Sequence, residues 1–237
     1  MNVQEATTRR LPDLKERHLP ENCRETINTI LKETYGYEQF RNLEIYDDLS
    51  KGKEKLCISQ GQLIENVILE AEKAWKGETQ VDNILLTAPT GSGKSLLFQL
   101  PAIYLGKEYN LLTIVVSPLK ALIVDQVESL QELGYTRVAY ASSDLSPEQK
   151  MEVYRQVREG EIDLFYLSPE LLLSYDIKHF VGERRIGLVV VDEAHTVTTW
   201  GKEFRVDYWF LGRYLNTLKQ TLGYNFPLFA SVSYTHL

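Results

Sequence analysis

The chain has 237 residues, 43% of them hydrophobic and 25% charged, with a formal net charge of −7. That is an ordinary globular balance with no repeat or low-complexity tract, enough for one large core or two small domains, and it carries no global basic field that would advertise nucleic acid, which would need local contacts or another domain. Cys23 and Cys57 make no metal pattern, "MNVQEATTRR" is too polar for a secretory signal, and no apolar run reaches membrane-spanning length, so a reduced, cytoplasmic setting is expected.

Residues 1–60 are polar and irregular and read as an N-terminal extension; residues 61–237 read as the main domain. Within the extension, Asn22–Tyr35 fits an amphipathic helix with Ile27, Ile30 and Leu31 on one face. Asn42–Ile58 is mostly charged or polar and reads as an inserted loop. From about Leu85, apolar strands alternate with helical patterns. Strands are expected at Ile84–Thr87, Leu112–Ser117, Arg137–Ala141, Asp163–Leu167, Gly187–Asp192 and Pro227–Ser231. Helices are expected at Ser95–Leu105, with Pro101 a kink or break, and at Lys120–Leu133, Pro147–Gly160 and Val206–Leu222. This alternation means an α/β fold: βαβ units, a parallel sheet and helices on both faces. Leu188-Val-Val-Val191 is apolar without alternation, as in a strand covered on both sides. In such sheets ligands sit beyond the carboxyl ends of the strands.

One strand end carries Ala88-Pro-Thr-Gly-Ser-Gly-Lys-Ser95, which fits the phosphate loop G-x-x-x-x-G-K-[ST] with Ala88 in place of the first glycine. Gly91 and Gly93 let the backbone curl so that successive N–H groups, from Thr90 through Ser92 and on, face an anion. The helix that follows adds its positive end. Lys94 would reach the β- and γ-phosphates of a nucleotide, and the Ser95 hydroxyl would ligate Mg²⁺.

A second strand end carries Asp192-Glu193-Ala194-His195. Two carboxylates at the tip of an apolar strand are costly without a task. Asp192 is placed to hold Mg²⁺ opposite Ser95, and Glu193 to orient and deprotonate an attacking water.

The two motifs together resemble superfamily 2 helicases, and the detail resembles the RecQ branch of DNA helicases. "GKSLLFQLPA" (Gly93–Ala102), "VVSPLKALIVDQV" (Val115–Val127), "LFYLSPELL" (Leu164–Leu172) and "DEAHTVTTWGKEFRVDY" (Asp192–Tyr208) are similar to successive motifs of that branch. The resemblance spans Leu31 to about Ala230 and implies a P-loop, RecA-like domain that uses ATP and Mg²⁺. It departs from the family at Thr199, Lys202 and Val206, where glutamine, histidine and proline are common.

The resemblance implies roles residue by residue. The aromatic-rich loop would sense single-stranded DNA: Trp200 and Phe204 would stack on bases, Arg205 would pair with a phosphate or a group in the ATP site, and His195 would link this loop to the acidic box. The alternative for Trp200 is a core anchor, and for His195 a satisfied buried histidine. Ser117, Pro118, Lys120, Ser168 and Pro169 would hold strand phosphates; the two serines also suit helix capping. "LKETYGYEQFR" (Leu31–Arg41) opens an adenine motif whose glutamine would be Gln62, with Asn42–Gln60 an insertion that loops out. Tyr37 would then stack on adenine while Arg41 and Gln62 contact it.

The implied partner is single-stranded or forked DNA, with RNA as the alternative substrate of a DEAD/DEAH-type enzyme. A nucleotide-dependent binding module without unwinding activity is the non-enzymatic alternative. A superfamily 2 helicase needs a second RecA-like domain to supply arginine fingers, which the expectation places C-terminal to this chain. "SVSYTHL" stands where the family has a Ser/Thr-Ala-Thr motif; Ser233 and Thr235 match it loosely, and the last residues are expected to be foreign to the family.

Overall fold

The unalternating run ending at Val191 becomes strand β7 (Ile186–Val191), buried on both faces in the middle of a parallel sheet. The computed structural model describes residues 20–46, 55–194 and 206–234, and the side chains of these except 45, 46, 55, 56, 206–210 and 234. Among the described residues the sheet has six strands: β3 (Ile84–Pro89), β4 (Leu112–Val116), β5 (Val138–Ala141), β6 (Leu164–Leu167), β7 and β8 (Leu228–Tyr234). Their order is β3-β8-β7-β4-β6-β5, with every pair parallel. All six expected strands form.

Period-two alternation splits the core into two layers. Leu86, Val115, Leu164, Tyr166, Leu188, Val190 and Phe229 face α1 (Glu25–Tyr35), α2 (Gln60–Trp75), α3 (Leu96–Tyr109) and α4 (Lys120–Glu132). Ile114, Val116, Phe165, Leu167 and Val189 face α5 (Pro147–Glu159), α6 (Pro169–Ser174), α7 (Ile177–Val181) and α8 (Val206–Leu222). The α/β expectation with helices on both faces is what forms. Ile27, Ile30 and Leu31 of α1 enter the first layer, as the amphipathic pattern predicts.

Two expectations are corrected. Asn42–Ile58 is not only a loop: β1 (Asn42–Tyr46) and β2 (Lys55–Ser59) pair antiparallel, with Leu43 opposite Ile58. Leu43 and Ile58 are both buried, and that small apolar contact outweighs the surrounding charge. Helix α3 does not end at Leu105 or break at Pro101. It continues to Tyr109 and ends at Asn110 in the left-handed conformation, whose N–H bonds back to Gly106. Residues 96–106 are buried throughout, so packing offsets the hydrogen bond that Pro101 removes.

The hairpin closes on itself. The Gln60 N–H donates to the Arg41 carbonyl at 2.9 Å. Gly61 then lies against the Phe40 ring, where a Cβ would come within 2.7 Å of a ring carbon. Arg41 and Gln60 are thereby brought together at the base of the paired strands β1 and β2.

Candidate active site

The phosphate loop leaves β3 at Pro89 and enters α3 at Leu96, in the strand–turn–helix context that its pattern requires. Gly91 and Gly93 take φ of +79° and +77°, values that only glycine adopts without strain. Ser92 N–H donates to the Pro89 carbonyl at 3.2 Å, which tightens the turn beginning at Thr90. The Lys94 ammonium donates to the carbonyls of Ala88 (3.2 Å) and Pro89 (2.8 Å), so the lysine arches over its own loop. Burial pushes Lys94 below its ordinary pKa, while Glu193 and Asp192 pull it back up. Ala88, whose carbonyl takes the Lys94 ammonium, pairs across the sheet with Ser233, whose hydroxyl donates to Glu193, so the cation and the strand-tip carboxylates lie at the same end of neighbouring strands.

Asp192 is 6% exposed. Its Oδ1 accepts from the Ser231 hydroxyl at 2.6 Å and its Oδ2 from Gln126 Nε2 at 3.3 Å. Burial raises its pKa and Glu193 adds to that; the Ser231 hydrogen bond opposes it. Glu193 sits at φ +49°, a left-handed conformation uncommon for a residue with a side chain. Ser233 donates to its Oε1. Strand β8 therefore presents one hydroxyl to each carboxylate. The hydroxyls that meet the carboxylates belong to Ser231-Val-Ser233, two residues before the expected Ser233 and Thr235; Thr235 lies outside the described residues.

The site fits a magnesium nucleotide. No cluster of three or more acidic, His or Cys ligands occurs among the described residues. Mg²⁺ is commonly held by one or two carboxylates plus substrate phosphates. Asp192 would supply such a carboxylate, and the Ser95 hydroxyl makes no helix-capping bond. In the loop itself the Ser92 hydroxyl is buried without a hydrogen-bond partner among the described residues.

Sequence reasoning missed one glutamine. Ser59 and Gln62 form a reciprocal capping box at the start of α2: the Ser59 N–H donates to Gln62 Oε1 at 3.0 Å. Gln62 thereby points back at the helix end. Gln60, buried at 2%, instead reaches the phosphate loop, with Nε2 donating to the Ser92 carbonyl at 3.2 Å and Oε1 accepting from the Arg41 N–H at 3.1 Å. The S-x-x-Q pattern at Ser59 was the available signal. Tyr37 is half exposed and stacks on Tyr35 with ring centres 6.3 Å apart. The Arg41 side chain is exposed.

The remaining candidates are distributed along the same sheet edge. The Ser117 hydroxyl, at the end of β4, is buried without a hydrogen-bond partner among the described residues. Pro118 precedes α4, whose first residue, Lys120, pairs with Asp144. Ser168 caps α6, accepting from the Leu171 N–H at 3.3 Å, and Pro169 occupies the first turn. The capping role of Ser168 is thus seen directly. His195, Trp200, Phe204 and Arg205 lie outside the described residues.

The family model described as DEAD/DEAH box helicase matches residues 63–224, which include the phosphate loop and both carboxylates. The chain belongs to the DEAD/DEAH box helicase family. Within it the similarity is to the RecQ branch. The ATP-dependent DNA helicase RecQ of Haemophilus influenzae is 30% identical over 187 residues, 79% of this chain and 25% of that protein. The RecQ of Synechocystis is 33% identical over 202 residues, 84% and 35% of the two chains. This helicase domain thus spans about a quarter to a third of the length of these curated relatives. A solved structure titled "Crystal Structure of DUF1998 helicase MrfA bound to DNA" superposes with a TM-score of 0.56 at 21% identity, over 92% of this chain and 27% of that one, a likeness of fold. No helix among the described residues is long and apolar enough to cross a membrane.

Proposed function

We propose that this domain is the ATP-binding motor of a RecQ-like, ATP-dependent DNA helicase, which couples ATP hydrolysis to movement along single-stranded DNA and separation of duplexes. The observation that carries the reading is the convergence of Lys94, Asp192 and Glu193 on one site, with Ser231 and Ser233 holding the two carboxylates.

The loop N–H groups and Lys94 bind the phosphates, and Gln60, Arg41 and Tyr37 line the route to the base, with Gln62 behind them in the cap. Ser95 and Asp192 would hold Mg²⁺, which neutralises charge developing on the phosphates. Glu193, held by Ser233 in a strained backbone, orients the attacking water and takes its proton. Ser117, Pro118, Lys120, Ser168 and Pro169 lie at the same strand ends and would contact DNA phosphates. Their position supports backbone contact without sequence reading. His195, Trp200, Phe204 and Arg205 would connect DNA to the carboxylates, and a second RecA-like domain would complete the ATP cleft. The free thiols Cys23 and Cys57 suit a cytoplasmic protein.

The test is steady-state ATPase of the full-length protein with single-stranded DNA, RNA or neither. DNA should stimulate more than RNA. Lys94→Ala should abolish turnover, and Glu193→Gln should bind ATP normally and lose roughly 10²-fold in hydrolysis. Equal turnover in Lys94→Ala would overturn the reading. Stimulation by RNA alone would move the substrate to RNA. Nucleotide binding without turnover under any condition would leave a binding module.

A further inference from the structure

Four side chains outside the phosphate loop and acidic box form an unbroken hydrogen-bonded chain through the core. The Tyr35 hydroxyl donates to Gln99 Oε1 at 2.9 Å. Gln99 Nε2 donates to the Tyr166 hydroxyl at 3.2 Å. The Tyr166 hydroxyl donates to Gln126 Oε1 at 3.0 Å. Gln126 Nε2 then donates to Asp192 Oδ2 at 3.3 Å. The chain passes from α1 through α3, β6 and α4 to the tip of β7.

Its direction is dictated by its end. An ionised carboxylate only accepts, so Gln126 must present its amide nitrogen to Asp192 and its oxygen to Tyr166. Tyr166 must then spend its one proton on Gln126 and accept from Gln99. Gln99 in turn offers its oxygen to Tyr35. Every donor points the same way, an arrangement in which successive bonds polarise and strengthen one another. Burial pushes the Tyr35 and Tyr166 phenols up, so both stay protonated donors. Tyr166 is wholly buried and Gln99 nearly so, among Phe98, Leu164 and Val190. Apolar side chains would fill such a core without polar groups that need partners. At its outer end Tyr35 stacks on half-exposed Tyr37, the aromatic assigned to the adenine.

We infer that Tyr35, Gln99, Tyr166 and Gln126 are positioning residues that orient the Asp192 carboxylate for the metal and couple it to the aromatic pair at the base. This rests on the nucleotide-binding reading above. None of the four touches the metal or the reacting atoms; they act through Asp192. Base stacking on Tyr37 fixes Tyr35, and the chain carries that order to the metal ligand.

The test is the affinity of full-length protein for a non-hydrolysable ATP analogue, with Mg²⁺ and with EDTA, alongside thermal unfolding. The readout is the ratio of the two dissociation constants. Gln126→Met removes a hydrogen bond to a charged group and should cut that ratio about 10-fold. Tyr166→Phe and Tyr35→Phe remove neutral bonds and should each cut it about 3-fold, leaving the EDTA affinity unchanged. Tyr35→Phe is decisive. It keeps the ring on Tyr37, lies at the far end from Asp192 and sits near the surface, so it folds even where a core variant does not. Combined with Gln126→Met, it should add little further loss, since both break one chain. An unchanged ratio in Tyr35→Phe and Tyr166→Phe, whatever their thermal stability, overturns the inference while Mg²⁺-dependent binding by wild type and its loss in Lys94→Ala keep the proposed function standing. No Mg²⁺-dependent binding by wild type overturns both.

Discussion

Gln60 donates from Nε2 to the carbonyl of Ser92 at 3.2 Å, tying the first turn of α2 to the phosphate loop. Its other end accepts from the Arg41 N–H, so one buried amide holds the returning hairpin against the nucleotide site. Gln62, two residues on, is committed to the helix cap. The two glutamines should therefore separate in experiment. Gln60→Ala should weaken ATP-analogue binding, and it should also lower stability by about 1–3 kcal/mol because two buried hydrogen bonds are lost. Gln62→Ala should lower stability by about 1 kcal/mol through the lost cap and change binding little. Binding and melting measurements on both variants check this; the reverse pattern would return the adenine contact to Gln62.

The Gly93 position sharpens the same relationship. A Cβ there would come within 2.8 Å of Gln60 Nε2, and the backbone φ is +77°. Gly93→Ala should distort the loop and reduce nucleotide affinity at least as much as Gln60→Ala. Pairing it with Gln60→Ala removes the collision but not the backbone strain, so affinity should recover only in part. Recovery all the way to the Gln60→Ala level would show that the clash alone matters.

The parallel sheet was legible because its strands are apolar runs whose type survives neighbouring noise, and because the phosphate loop and acidic box carry their own spacing. The expected helix Val206–Leu222 ends where the sequence places it, at Leu222. What was missed has local causes. Leu43 and Ile58 alternate with charged and polar neighbours, so β1 and β2 read as loop until their pairing buries both. Gln60 was overlooked because the Gly61-Gln62 pair matched a pattern, although the S-x-x-Q run from Ser59 to Gln62 already signals the cap that redirects Gln62. Ser231 and Gln126 carry no motif of their own. Their contact with Asp192 spans 39 and 66 residues of sequence.

Ser233 holds the Glu193 carboxylate at a backbone φ of +49°. Ser233→Ala should free that side chain to leave its orientation toward water. Turnover should fall about 10-fold while ATP affinity stays near wild type, since the phosphate contacts are untouched. Steady-state kcat and analogue binding on the same preparation test it. A loss of affinity with kcat retained would make Ser233 a binding rather than an orienting residue.

Cys23 and Cys57 should differ sharply toward alkylation. Burial, then the neighbouring Glu65, pushes the Cys23 thiol up to about 12, so almost no thiolate exists near neutral pH. Cys57 lies exposed on β2. Iodoacetamide at pH 8 should label Cys57 rapidly and Cys23 only after denaturation, read by peptide mass spectrometry. Equal native rates would contradict the burial of Cys23.

The acid limb of stability should depend on Glu72. Arg24 Nη1 donates to its Oε1 at 2.6 Å, and the Tyr109 and Tyr104 hydroxyls donate to the same oxygen at 2.9 and 3.3 Å. Burial alone would raise the Glu72 pKa, but these bonds outweigh it, with Arg24 foremost, and the folded value lies below the ordinary 4.5. A carboxyl whose folded pKa is depressed releases its proton more readily in the folded state. Its stabilisation is therefore complete above about pH 4.5 and is lost as pH falls from there through the folded value. Glu72→Gln should cost about 1–3 kcal/mol at neutral pH, because the bond to Arg24 loses its charge. Its stability should then fall less steeply than wild type below pH 4.5, and the two curves should converge in acid. Arg24 also pairs with Glu65 at 2.6 Å, so that second carboxylate keeps the arginine in place and makes the comparison one of Glu72 alone. Urea unfolding at a series of pH values measures both curves. Parallel curves down to low pH would show that Glu72 titrates alike in the folded and unfolded chain, and that the Arg24 contact contributes geometry without charge.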